Sequence, residues 1–493
     1  MSTPPGYSDQ STTQDELGFT PFAAALAAIP HEVALADTPL TIGIYGPWGS
    51  GKTSMMSMIL KRLDHTRCTT MWFNAWRYAQ QESLWRALLL SVVESLRVLI
   101  KHDADWLKQY ITHHNRLDPN APPIGRDEAG LEQARAALTS RLDDLASSLY
   151  KSVDREEPGA IEFQWDKASK LAAGTIIRAG FSYIPVLGGI ADVIGKAGDK
   201  ASEKDYAEKI FDLFQRERTR IYQAQVQSLE QFLEKLCALV KDLVTDLDRR
   251  LVVFIDDLDR CLPEQAIGVL EALKVFLDIP GCVFVLGMDR EIIERGIRVR
   301  YKEFALSGNA AGASFPIAER DYLEKIVQVP FTLPPLNPAV IHTFLSARLP
   351  TIPALRGQAA DQEQVAQLMT TGLLRNPRKV KRTFNIFRLH LTLDRAHGRT
   401  TPAGLIAKLT VLQSSFADLY ERIARDPVLL RSVEQIIRGT PGAGAITQEL
   451  RDEVGQSDER LKQLLFLQPF FEGLTDDQLR TLVYQASMTS DPT

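Results

Sequence analysis

The chain has 493 residues, enough for about two to four domains. Its formal net charge of −5, with 24% charged residues, excludes the overall Lys and Arg excess of a duplex-DNA binder, though it leaves a local basic patch open. Cys68, Cys237, Cys261 and Cys282 show no CxxC or Cys/His spacing, which argues against a zinc site or disulfide framework and for reduced core thiols.

The polar N-terminus MSTPPGYSDQSTTQDELGF lacks a charged-then-apolar export pattern, so a cytoplasmic location is expected. Residues 1–14 read as a disordered lead-in and 15–96 as the first part of a catalytic core. Pro39 to Tyr45 (PLTIGIY) is a short β-branched apolar run suited to a buried parallel strand. It runs into Gly46-Pro47-Trp48-Gly49-Ser50-Gly51-Lys52-Thr53, and Ser54 then opens the helically spaced SMMSMILKRL. Strand, GxxxxGK(S/T) and helix in that order form a phosphate-binding P-loop. Gly46, Gly49 and Gly51 are expected to let the backbone take positive φ and approach phosphate oxygens. The loop N–H groups and the helix N-terminus then make an anion nest. Lys52 supplies an ammonium to the β- and γ-phosphates, and Thr53 a hydroxyl to Mg²⁺.

A second strand is expected at Thr69 to Phe73, leading to Asn74-Ala75-Trp76. Ser83 to Leu247 is mainly helical and charged, and 97–249 reads as a helical insertion, either a lid or an arm for a partner. Within it, Leu171 to Gly195 tests for a membrane span. Arg178 and Asp192 interrupt the run and Pro185 breaks it, so the uncharged stretch is too short to cross. Surface membrane contact stays open.

The core resumes at 250–336. Leu251 to Ile255 (LVVFI) is a buried-strand run ending in Asp256-Asp257-Leu258-Asp259-Arg260. A carboxylate at such a strand end can hold Mg²⁺, so Asp256 is the metal-side candidate beside Thr53. Asp257, the next acid, is the candidate general base. Arg260 suits either transition-state charge or an ion pair with Asp259. Cys282 to Gly287 leads to Met288-Asp289-Arg290, where Asp289 can also cap the following helix. Lys325 to Leu333 completes five strands alternating with helices. The expected class is α/β, a three-layer α/β/α parallel sheet with a large helical insertion and a C-terminal helical region.

Residues 337–400 read as a helical lid and 401–493 as a C-terminal helical bundle. Asn376-Pro377-Arg378-Lys379-Val380-Lys381-Arg382 places Pro377 at helix position N1, with basic residues on the first turns. A solvated basic face, or a nucleic-acid patch, is the plain alternative.

GIYGPWGSGKTS, WFNAWRYAQQESLW, VVFIDDLDRC, LGMDREII and NPRKVKRTFN together resemble the KAP family of P-loop ATPases. DELGFTPFAAALA and LIAKLTVLQSSFADLYERIARDP fit the same resemblance, so it spans Asp15 to Pro427 in order. It implies an additional-strand P-loop fold related to the NACHT group of signalling ATPases. It also implies ATP hydrolysis with Mg²⁺ used as a conformational switch, with a γ-phosphate sensor where Asp289 stands. Arg378, with Arg382 as second choice, occupies the position from which a lid arginine reaches the γ-phosphate. Many relatives carry membrane helices inserted before the acidic strand, and here that run is too short and too charged. Some bacterial relatives act in defence against phage or plasmids. No NKxD motif for guanine is present, which favours ATP. A nucleotide-dependent scaffold that hydrolyses little is the first alternative and a small-molecule kinase the second. The protein partner is unnamed by the sequence, and homo-oligomerisation is left open.

Overall fold

Runs of β-branched and apolar residues become five strands: β1 Leu40–Tyr45, β2 Cys68–Asn74, β3 Arg250–Asp256, β4 Cys282–Met288 and β5 Val329–Thr332. The computed structural model describes residues 11–79, 84–117, 122–151, 232–276, 279–300, 319–440 and 448–489. The tested segment Leu171 to Gly195 and the first ten residues lie outside these. No described helix is long and apolar enough to cross a membrane.

The described residues fall into two compact units, 1–95 with 244–493, and 96–243. In the first, the strands pair in the order β2-β3-β4-β1-β5, all parallel. β4 therefore lies between the phosphate-loop strand and the acidic strand, as an additional-strand sheet requires. Every residue of β3 and β4 is buried, so both sheet faces are covered, which explains their unbroken apolar sequence. Ile42, Ile44, Val252, Phe254, Val283 and Val285 alternate onto one face. There they join a core with Met55, Met56 and Ile59 of helix Lys52–Leu60. The register aligns the strand ends, pairing Tyr45 with Met288 and Asn74 with Asp256.

The last strand is shorter than the expected Lys325 to Leu333. Helix Glu319–Glu324 precedes it, and only Val329–Thr332 pairs, on one side, with β1. Pro330 lacks an N–H and is tolerated at such an edge.

In the second unit, helices Ala104–Leu117 and Glu128–Lys151 and helical residues 232–243 bury Trp106, Leu107, Ile111, Leu138, Leu142 and Leu236. The Trp106 indole N–H donates to the Leu243 carbonyl at 3.1 Å, satisfying the one polar atom of that buried ring.

Candidate nucleotide-binding site

The loop from Gly46 to Gly51 leaves the end of β1 and enters helix Lys52–Leu60, whose N-terminus has no side-chain cap. Its first N–H groups lack intrahelical acceptors and remain suited to an anion. Gly49 and Gly51 take φ of 82° and 101°, a region a Cβ would strain. Gly46 does not share that conformation, contrary to expectation. Glycine is needed there for space, because a Cβ would lie 2.5 Å from Ser50 Oγ.

A cavity of about 760 Å³ opens over this loop. Trp48, Gly49, Gly51, Lys52, Thr53 and Ser54 line it, with Asp256, Asp257, Asp259 and Arg260 from the acidic strand end. Lys52 Nζ donates to the Gly46 carbonyl at 2.8 Å and pairs with Asp259 Oδ2 at 3.0 Å. Asp259 thus pairs with the loop lysine and not with Arg260. Arg260 instead meets Asp257 Oδ1 at 2.8 Å and lies over the Trp76 ring, 5.5 Å from its centroid.

Asp257 Oδ2 accepts from Asn74 Nδ2 at 2.8 Å, so both oxygens of the candidate base are held. Asp257 also adopts a left-handed φ of 59°, a strained conformation for a non-glycine residue. Asn74 sits at the end of β2, where the register delivers it beside the acids. Sequence reasoning noted its place without giving it a role, because its partner is 183 residues away.

Asp256 is buried, and its Oδ1 accepts the Asp257 backbone N–H at 2.9 Å. No hydrogen bond of standard geometry reaches its buried Oδ2. Burial first, then the neighbouring Asp257 charge, pushes this carboxyl up to about 6, while the Thr53 hydroxyl draws it down. An acid raised in the folded state binds more protons folded than unfolded. Its penalty is therefore absent below the unfolded value near 3.8 and fully present above about 6. Accordingly, Asp256→Asn should raise the Tm of the nucleotide-free protein at pH 7.5, by up to roughly 3 kcal/mol of stability, and progressively less toward pH 5. Paired thermal melts at the two pH values check this, and an equal gain at both would contradict it.

An orphaned buried carboxylate oxygen next to a threonine hydroxyl is a hard-oxygen donor set of the kind a Mg²⁺ ion takes. Thr53 and Asp256 therefore fit the metal the P-loop implies.

The helix Pro377–Ala396 begins at the tip of the loop. Asn376 caps it, accepting from the Arg378 and Lys379 N–H groups, and its Nδ2 donates to the Trp48 carbonyl at 3.0 Å. The Arg378 N–H also donates to the Gly49 carbonyl at 3.2 Å, and a Cβ on Gly49 would lie 2.8 Å from Arg378 Cβ. The Arg378 guanidinium stands 5.1 Å from the centroid of the Trp48 ring, which is 65% exposed. Arg378 and Lys381 line the cavity, whereas Arg382 is exposed and does not.

Asp289 does not line the cavity. Its carboxylate accepts the Glu291 N–H at 3.1 Å, the geometry of a cap on helix Arg290–Arg300. Residues 11–14, expected in a disordered lead-in, instead line the cavity wall, and the Thr12 N–H donates to Ser54 Oγ at 3.2 Å.

A glycine cradle, an acidic strand end and a capped helix meeting at one cavity, on a β2-β3-β4-β1-β5 sheet, define a P-loop nucleotide-binding protein of the α/β class. The model of the KAP family P-loop domain matches residues 19–393, and the chain belongs to the KAP family. It is similar to the Phage T7 exclusion protein of Escherichia coli (strain K12), with 23% identity over 327 residues. That match takes in 66% of this chain and 34% of the relative, so the chain spans about a third of the relative's length. A solved Walker-type ATPase of Pyrococcus abyssi aligns over 97% of this chain and 100% of its own, at 12% identity and a TM-score of 0.32.

Proposed function

We propose that the chain is an ATP-hydrolysing molecular switch of the KAP type, coupling nucleotide state to partner binding or assembly. The observation that carries this reading is the seating of the lid helix on the phosphate loop through Asn376 and Arg378. Any shift of the Trp48-Gly49 tip on phosphate binding is felt directly at the start of a 20-residue helix. Lys52 would bind the β- and γ-phosphates and Arg378 the γ-phosphate. Thr53 and Asp256 would hold Mg²⁺, which supplies charge neutralisation at the phosphate oxygens. Asp257 would orient the attacking water and accept its proton, after giving up Asn74 or Arg260.

The base assignment has a direct test. Asp257→Asn should lower phosphate release from ATP at least about 100-fold, the scale of general-base catalysis, while nucleotide affinity stays within about threefold. Single-turnover phosphate release and calorimetric titration measure the two quantities. Undiminished turnover removes Asp257 from the reaction.

One observation favours a second reading, a nucleotide-dependent scaffold with little hydrolysis. Both Asp257 oxygens are engaged, so the base is held away from water in this state. Negligible turnover that no partner stimulates would select the scaffold. The name of the exclusion protein extends the proposal to defence against phage. A plaque assay comparing wild type with Lys52→Ala in the native host tests that role.

A further inference from the structure

Along helix Lys52–Leu60 the N–H groups open to phosphate end at Ser54, because the Met55 N–H already donates to the Gly51 carbonyl at 2.9 Å. The cavity does not end there. Ser57, Met58 and Lys61 carry its lining roughly 10 Å past Ser54, at about 1.5 Å of rise per residue. Over this stretch the helix backbone offers an anion nothing. Residues 11–17 line the same cavity and meet the helix where its free donors stop, the Thr12 N–H donating to Ser54 Oγ at 3.2 Å. Polar ties fix this segment. Asp15 accepts from the N–H groups of Leu17, Phe19 and Thr20 at 3.0, 3.0 and 2.6 Å, closing the chain into a loop. Thr12 Oγ1 accepts the Gln14 N–H at 3.0 Å. The Glu16 carboxylate pairs with the guanidinium of Arg348, which lies 3.9 Å from the centroid of the Phe344 ring. Among residues 11–19 only Phe19 is fully buried, so polar contacts rather than core packing hold the rest.

Resting on the reading of this cavity as a nucleoside-phosphate site, we propose that residues 11–17 and the helix face from Ser54 to Lys61 enclose the nucleoside half of the ligand, its base and ribose. Arg348 is then a positioning residue that holds this wall through Glu16. Hydroxyls and backbone amides of the segment, together with Met58, are the mixture of polar and apolar groups that a flat base with a polar edge takes. Arg348 is not among the residues lining the cavity, so it acts through Glu16 and not on the ligand. It is the last residue of helix Pro338–Arg348, so the nucleoside wall is tied to one helix and the tip of the phosphate loop to another, Pro377–Ala396. A bare phosphate chain gains nothing from this wall, whereas ATP and ADP gain alike. The wall therefore sets the preference for nucleotides over inorganic polyphosphate.

Titrating the purified chain with a slowly hydrolysed ATP analogue and with inorganic tripolyphosphate, both with Mg²⁺, tests this, because the phosphate contacts are common to the two ligands. Wild type should bind the analogue about tenfold or more tightly than tripolyphosphate. Ser57→Leu, which fills the nucleoside side with a good helix former, should weaken the analogue about tenfold and leave tripolyphosphate within about twofold. Arg348→Met keeps an apolar stem against Phe344 without the charge. It should weaken the analogue about threefold to fivefold, the upper range for a partly exposed ion pair, and again spare tripolyphosphate. Arg348→Lys, which keeps the charge, should stay nearer wild type. A merely structural loss would lower both affinities together. Equal effects on the two ligands, none included, or wild type that binds tripolyphosphate as tightly as the analogue, overturns the proposal and leaves the phosphate cradle standing. Wild type that binds neither ligand overturns both.

Discussion

Lys52→Ala should weaken nucleotide binding by about 30-fold or more and abolish measurable phosphate release. Removing one member of a desolvated charge contact raises binding free energy by roughly 2–5 kcal/mol, and each 1.4 kcal/mol is about tenfold. Lys52 is the basic side chain buried within the cradle, so little else there can replace its ammonium. The same substitution strips Asp259 of its partner, leaving a carboxylate almost fully withdrawn from water. Breaking a buried pair from one side destabilises by about 3–5 kcal/mol, so the nucleotide-free variant should also melt lower than wild type. Calorimetric titration and a thermal melt read the two effects. Unchanged affinity together with unchanged turnover would remove the loop from the site.

Arg378→Ala should slow hydrolysis about 10³-fold while leaving ADP binding nearly intact. ADP lacks the γ-phosphate that this guanidinium is proposed to meet, whereas the transition state spreads extra charge over the transferred phosphoryl oxygens. The helix Pro377–Ala396 holds the residue beside the cavity. Its backbone is tied to the Gly49 carbonyl, and its guanidinium lies over the Trp48 ring beside the cavity. Arg382→Ala serves as the internal comparison. Arg382 is exposed and does not line the cavity, so its loss should leave turnover within about twofold, ~0.4 kcal/mol by the rate relation. A twofold effect from both would move the basic cluster to partner or nucleic-acid contact.

The strands and the cradle were legible because their causes are local. β3 and β4 are buried on both faces, which demands an unbroken apolar run. The phosphate loop needs glycine and lysine at fixed spacing, and Pro377 behind Asn376 marks a helix start by its missing N–H. The edge strand was overread because Ile326 and Val327 continue its apolar pattern, yet both donate their N–H groups to the Leu323 carbonyl in a turn. Pairings between distant segments left no trace in the sequence. Nothing in the DDLDR run distinguishes Asp257 as the partner of Arg260 from Asp259 as the partner of Lys52, since the choice depends on the left-handed turn at Asp257. Asn74 and the wall formed by residues 11–14 are likewise products of strand order and chain path. Asp289 was legible in both its readings, and the geometry is that of the helix cap.

The most direct measurement is a calorimetric titration of the purified wild-type chain with a slowly hydrolysed ATP analogue and Mg²⁺, repeated with Lys52→Ala. A P-loop site of this construction predicts saturable binding at one nucleotide per chain that weakens sharply when Lys52 is removed. Heats indistinguishable from dilution in the wild type, or equal affinity in the variant, would contradict the assignment of the Gly46 to Thr53 loop as the phosphate cradle.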